Sequence, residues 1–160
     1  KSSFSRDLQQ PQNEMMLRNS LSELWVQIHA KAEPQFALDN SSLMTSREIR
    51  FREILDYIRT HYADSIDVPQ IASAVGISER DCYRTIKACA GTTPAAYLRA
   101  YRIARACTLL THTTRTVQTI AHQCGFATAS HLGQVFKEQI GCTPSEYRAM
   151  RQNFDTTGQK

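Results

Sequence analysis

Residues 68–97 read VPQIASAVGISERDCYRTIKACAGTTPAAY, and residues 117–147 read VQTIAHQCGFATASHLGQVFKEQIGCTPSEY. The two stretches carry one pattern twice. Val68, Ile71, Ala72 and Gly76 match Val117, Ile120, Ala121 and Gly125 at an offset of 49, while Lys87, Gly91, Thr93, Pro94 and Tyr97 match Lys137, Gly141, Thr143, Pro144 and Tyr147 at 50. Self-similarity of this kind marks a repeated supersecondary unit. The change of offset puts one extra residue after the second glycine, where a turn tolerates an insertion.

Each copy spells helix, turn, helix. Val68, Ile71, Ala72 and Val75 follow the spacing that buries one face of a helix, and Asp67 is a suitable N-cap. Gly76 ends that helix, because glycine adopts the left-handed conformation without a Cβ clash. Ile77 then turns inward and Ser78 caps a second helix running to about Ala90. In that helix Cys82, Ile86 and either Cys89 or Ala90 form the inward stripe, which leaves Glu79, Arg80, Tyr83, Arg84 and Lys87 outside. In the second copy Val117, Ile120, Ala121 and Cys124 form the stripe, Gly125 the stop, Phe126 the inward turn residue and Thr128 the cap. Leu132 and Phe136 point inward; Ala129, Ser130, Gly133, Gln134 and Lys137 point outward. His131 sits on the shoulder and reads as a phosphate contact or a solvated side chain, since no second ligand stands at a neighbouring helical position. Small Ala72 and Ala121 suit the tight crossing of two helices joined by a short turn.

Between the copies, Pro94 opens a connecting helix with Tyr97 or Leu98, Tyr101, Ala104, Thr108 and Leu109 at helical spacing. Before the first copy, Thr45 and Glu48 form a capping-box pattern, followed by Phe51, Ile54, Leu55, Ile58 and Tyr62, a helix expected to close the first subdomain. The fold predicted is all-α: two helix-turn-helix subdomains over residues 45–152 joined by a connecting helix and preceded by an amphipathic helix. That preceding helix uses Met15, Met16 or Leu17, Leu21, Leu24 or Trp25 and Ile28. Residues 1–44 then read as an amphipathic helix and linker left from a sensory or dimerisation domain, an expectation strengthened by the opening Lys1, and residues 153–160 as a flexible tail.

The charge is uneven. The whole chain carries +4, but between Arg80 and Lys137 there are eight bases (Arg80, Arg84, Lys87, Arg99, Arg102, Arg105, Arg115 and Lys137) against one acid, Asp81. Such a segment suits a polyanionic partner as well as a solvated face. Arg99, Arg102 and Arg105 rotate around the connecting helix, so they either join phosphate contacts or pair with acids such as Asp56 and Asp64. The five cysteines, Cys82, Cys89, Cys107, Cys124 and Cys142, are odd in number and include no C-x-x-C pair, which argues for small buried side chains over a disulfide framework or zinc cluster. A redox-sensing role for Cys82 or Cys89 requires an exposed thiol with a lowered pKa. No apolar run spans a bilayer and the first residues are too polar for a signal peptide, so a cytoplasmic protein with no membrane partner is expected. No carboxylate pair, nucleophile–base pair, phosphate-cradling glycine loop or metal cluster indicates an enzyme or a cofactor.

IASAVGIS and IAHQCGFA, the paired GTTPAAYL and GCTPSEYR, and the connecting YLRAYRIARACTLL together resemble the DNA-binding domain of the bacterial AraC/XylS family of transcription regulators, over about residues 47–152. The resemblance implies seven helices in two subdomains. It also implies promoter double-stranded DNA as target, bound in two successive major grooves, RNA polymerase as a partner, and dimerisation through an N-terminal domain. Carried onto this chain, it places Arg80, Tyr83 and Arg84 at the bases. Arg84 is the foremost candidate, because an arginine fork matches guanine O6 and N7; Glu79 is a weaker reader. The matching second-copy positions are Ala129, Ser130, Gly133 and Gln134, of which Gln134 suits adenine. Lys87, Lys137 and the backbone amides at the starts capped by Ser78 and Thr128 are candidate phosphate contacts. The alternatives are the DNA anchor of a larger enzyme and a helical protein- or RNA-binding module, the last disfavoured because Tyr83 is the one aromatic expected to be exposed for stacking.

Overall fold

The computed structural model describes residues 45–157; the expected helix and linker of residues 1–44 lie outside the described residues, as do residues 158–160. Among the described residues every regular element is a helix: α1 Ser46–His61, α2 Val68–Ala74, α3 Glu79–Ala90, α4 Pro94–His112, α5 Val117–Gln123, α6 Ala129–Ile140 and α7 Pro144–Thr157.

Short-range chemistry sets the starts. The Thr45 amide donates to Glu48 Oε2 at 2.7 Å and the Glu48 amide returns a bond to Thr45 Oγ1, a complete capping box. Asp67 and Gln70 repeat this device at α2, with Pro69 in the first turn where its missing N–H costs nothing. Thr143 and Glu146 do so at α7. Ser78, Thr93, Thr116 and Thr128 cap α3 to α6 by accepting the amide three residues on.

The two turns hold the expected glycines at φ 67° for Gly76 and 76° for Gly125. Each is followed by a long closing bond, Ile77 N–H to the Ala72 carbonyl at 3.0 Å and Phe126 N–H to the Ala121 carbonyl at 2.9 Å, which terminates the helix and turns the next residue inward. One residue separates Gly76 from its cap, whereas Phe126 and Ala127 separate Gly125 from Thr128, so the extra residue of the second copy lies in the turn.

Two apolar clusters form. Ile54 and Ile58 of α1, Ile71 of α2, Cys82 and Ile86 of α3, and Tyr97 and Leu98 of α4 make the first. Ile103, Cys107 and Leu110 of α4, Ile120, Phe126, Leu132, Val135, Phe136 and Tyr147 make the second. The connecting helix is therefore a wall of both cores. This corrects the single stripe drawn through Thr108, which is exposed: α4 changes partner along its length, and beyond Arg102 the expected Ala104 is buried together with Ile103, Ala106, Cys107 and Leu110. In α3 the choice between Cys89 and Ala90 falls to Ala90, which packs on the first core, while Cys89 is exposed. Thr85 is buried with Cys82 and Ile86, a residue type that a count of apolar side chains overlooks. The α7 helix runs on to Thr157, past the tail boundary drawn at 152, since Gln152 to Thr157 contains neither glycine nor proline.

Candidate nucleic-acid interface

On α3 the structure exposes Glu79, Arg80, Tyr83, Arg84 and Lys87 together, with Ser78 at the cap. Tyr83 is 43% exposed, one of two large apolar side chains so placed among the described residues. Arg80 makes no hydrogen bond or ion pair among the described residues. Arg84 Nη2 donates to Asp81 Oδ1 at 2.7 Å, and Ser78 Oγ donates to the other carboxylate oxygen at 2.8 Å. Lys87 Nζ donates to the Gly91 carbonyl at 3.0 Å, which spends part of its charge on the end of its own helix.

On α6, Ser130, His131, Gln134 and Lys137 are exposed, Thr128 is the exposed cap, and Ala129 and Gly133 are half-buried. Gln134 Nε2 reaches Glu138 Oε1 at 3.4 Å. A Cβ on Gly133 would meet nothing within 4 Å, so the fold itself does not require glycine there. His131 stands edge-on to Phe126 with ring centroids 5.4 Å apart. Gln118 of α5 accepts the Ala129 N–H at 3.3 Å and pairs with His122, holding the start of α6. Sequence reasoning missed Gln118, because a polar residue on a short helix leaves no mark on an apolar stripe.

The two units meet in a groove of about 300 Å³ lined by Asp67, Val68, Leu98, Arg99, Phe126 and His131 among others. Beside it, Arg102 Nε donates to the Tyr62 carbonyl at 2.7 Å and its Nη2 to the Asp64 carbonyl at 2.7 Å. Arg105 lies over the Tyr62 ring at 5.8 Å. These two arginines thus bind backbone and ring, not the carboxylates of Asp56 or Asp64; Asp56 pairs with Arg59 at 3.6 Å. The Tyr62 carbonyl, at the C-cap of α1, and the Asp64 carbonyl in the turn beyond it are thereby satisfied. Arg99 remains exposed on the groove.

Four of the five cysteines are buried. Burial, with Glu79 adding to it, pushes the Cys82 thiol up, and burial carries Cys124 up to about 11 against the opposing pull of Arg105 and Arg102. Cys82 is thereby unsuited to redox sensing, which needs an accessible thiolate. No helix among the described residues is long and apolar enough to cross a membrane.

Known proteins share this arrangement. The family described as helix-turn-helix domain matches residues 71–150. The HTH-type transcriptional activator RhaS of Escherichia fergusonii is 32% identical over 118 residues, covering 72% of this chain and 42% of that protein. Its namesake from an Enterobacter species is 29% identical over 108 residues, covering 68% and 39%. The chain thus spans about two-fifths of the length of these curated relatives. Among solved structures, a transcriptional regulator with an AraC-type DNA-binding domain from Chromobacterium violaceum superposes with a TM-score of 0.62 at 29% identity, covering 65% of this chain and 93% of that one. The DNA-binding domain of AdpA, in complex with a target DNA, gives a TM-score of 0.62 at 27% identity, covering 65% and 94%. With the duplicated turns, the shared connecting helix and these relatives in agreement, the chain belongs to the AraC/XylS family of DNA-binding transcription regulators and carries that family's two-unit helix-turn-helix domain.

Proposed function

We propose that this chain binds promoter DNA as one rigid two-headed body, with α3 and α6 entering successive major grooves on the same face of the duplex. The observation that carries the reading is the exposure of Arg80, Tyr83 and Arg84 on α3 and of Ser130, His131 and Gln134 on α6, with Ser130 and Gln134 at the places that match Arg80 and Arg84 in the duplicated frame. The two heads are unequal. Arg84 reads guanine through its fork, with Arg80 and Tyr83 beside it and Glu79 a weaker acceptor for a cytosine amino group. Ala129 and Gly133 let α6 lie close to the sugar–phosphate wall, where Gln134 is its one long base-directed side chain, so α6 grips more than it reads. Lys87, Lys137 and the amides capped by Ser78 and Thr128 serve the phosphates. The AdpA domain's complex with a target DNA supports the partner class. The relatives named transcriptional activators support regulation of transcription, and the same reading takes RNA polymerase as the further partner and the cytoplasm as the place of action. Dimerisation through a separate N-terminal domain belongs to the same reading.

The test is a footprint of the chain on a duplex selected from a randomised pool. Protection is expected at two major-groove segments about 10 to 10.5 bp apart with the chain monomeric; protection of a single groove overturns the two-groove reading.

A further inference from the structure

Asp81 is the one acid between Arg80 and Lys137. A carboxylate on a face directed at a polyanion is repelled by every phosphate it nears. As the N3 residue of α3, bonded to its cap Ser78, Asp81 supports the helix start, but Glu79 supplies a second acid to the same turn, and Asp81 alone of the two also engages an arginine of the exposed face.

Its partners are specific. Ser78 Oγ holds Asp81 Oδ2 at 2.8 Å and Arg84 Nη2 reaches Oδ1 at 2.7 Å, so both carboxylate oxygens are engaged and the acid is fixed from the cap side. One Nη2 hydrogen goes to Asp81, which leaves the second Nη2 hydrogen and the Nη1 hydrogens as donors, and one hydrogen from each of these nitrogens can form a parallel pair. A parallel pair of this kind is what guanine O6 and N7 accept. An arginine without such a tether is a mobile charge and pairs with whichever phosphate lies nearest. The second copy lacks the tether: the positions matching Ser78, Asp81 and Arg84 hold Thr128, His131 and Gln134, and Gln134 turns instead toward Glu138, one turn further on.

We infer that Asp81 is a positioning residue that sets base specificity: it holds the Arg84 fork toward guanine and sets a penalty on contact with phosphate alone. The inference rests on the proposed reading of guanine by Arg84.

The experiment selects bound duplexes from a randomised double-stranded pool with the whole chain, its Arg84→Ala, Asp81→Asn and Asp81→Glu variants, and the Arg84→Ala/Asp81→Asn double variant. Affinity for a random-sequence duplex is measured against salt in parallel, and circular dichroism confirms folding. Arg84→Ala is expected to flatten guanine preference at one position, a good bidentate contact being worth about 5- to 150-fold there. Asp81→Asn is expected to lower the same preference at least about fivefold, to leave other positions unchanged, and to tighten random-duplex binding with a salt slope steeper by about 0.9, the contribution of one charge. Asp81→Glu keeps the charge but displaces the fork, so it loses preference without gaining random-duplex affinity. In the double variant the asparagine changes no preference beyond Arg84→Ala alone. Wild-type guanine preference in Asp81→Asn and Asp81→Glu, at a position that Arg84→Ala flattens, overturns the inference and leaves the Arg84 reading intact. If Arg84→Ala flattens no position, the Arg84 reading fails and this inference falls with it.

Discussion

Arg102 Nε donates to the carbonyl oxygen of Tyr62 at 2.7 Å, across 40 residues of sequence, and so ties the end of α1 to the middle of α4. Gly125, the stop of the second helix-turn-helix, lies against the same bond: a Cβ there would stand 2.6 Å from the Tyr62 carbonyl and 2.9 Å from Arg102 Nε. The turn of one head thus abuts the floor of the other.

Gly76→Ala and Gly125→Ala therefore differ in cost although both glycines have positive φ. At Gly76 the added Cβ meets nothing within 4 Å, so the loss is backbone strain alone, about 1 kcal/mol. At Gly125 the backbone carbonyl must also give way, and a loss of about 2 to 4 kcal/mol is expected. Urea denaturation of the two variants checks the order; equal losses would refute the close approach.

Arg102→Ala removes two charge-assisted bonds to backbone carbonyls, with an expected loss of about 2 to 4 kcal/mol. Because the bond sets how the heads sit, the variant should also tolerate altered spacing between the two protected grooves. Binding to duplexes with one or two base pairs inserted between them measures this. A variant as intolerant of insertion as the wild type would assign Arg102 to stability only.

Gly133→Ala separates folding from binding. A Cβ at this helical position has open space around it, so alanine should stabilise the fold by about 0.5 to 1 kcal/mol. If α6 lies close to the duplex there, affinity for a selected duplex falls by roughly tenfold, about 1.4 kcal/mol. Raised thermal stability with undiminished affinity would remove Gly133 from the interface.

Alkaline pH should loosen the second core through Cys124. Its folded pKa is raised by burial from 9.0 to about 11, so the neutral thiol's contribution is complete below pH 9 and is lost as pH climbs toward 11. The loss approaches about 2 to 3 kcal/mol at the top of that window. Cys124→Ala should show a shallower fall in stability between pH 8.5 and 10.5, roughly the window set by the shift; parallel curves would assign the alkaline loss to other groups.

How much of this was legible follows from the range of each interaction. Thr45 with Glu48, Asp67, Ser78 and Thr128 were readable because a cap acts over three residues, and Gly76 because its turn is local. The outward residues of α3 and α6 followed from the stripes they oppose. Arg102 was not readable, since its acceptors are carbonyls 38 and 40 residues away and carbonyls carry no sequence signature. Thr108 was misplaced because one helical period cannot describe a helix that serves two cores. Asp81 left a signal, an acid alone among bases and three residues before Arg84, whose meaning appears only with the 2.7 Å contact.

The connecting helix gives Tyr97 and Leu98 to one core and Ile103 and Leu110 to the other, and these residues lie within four turns of one another. Neither head can melt without fraying the rod that the other is built on. The duplication written in the sequence is consequently not a duplication of separate cores: one cooperative unfolding transition is expected of the two units, since a cut between the repeats takes the connecting helix from one of them.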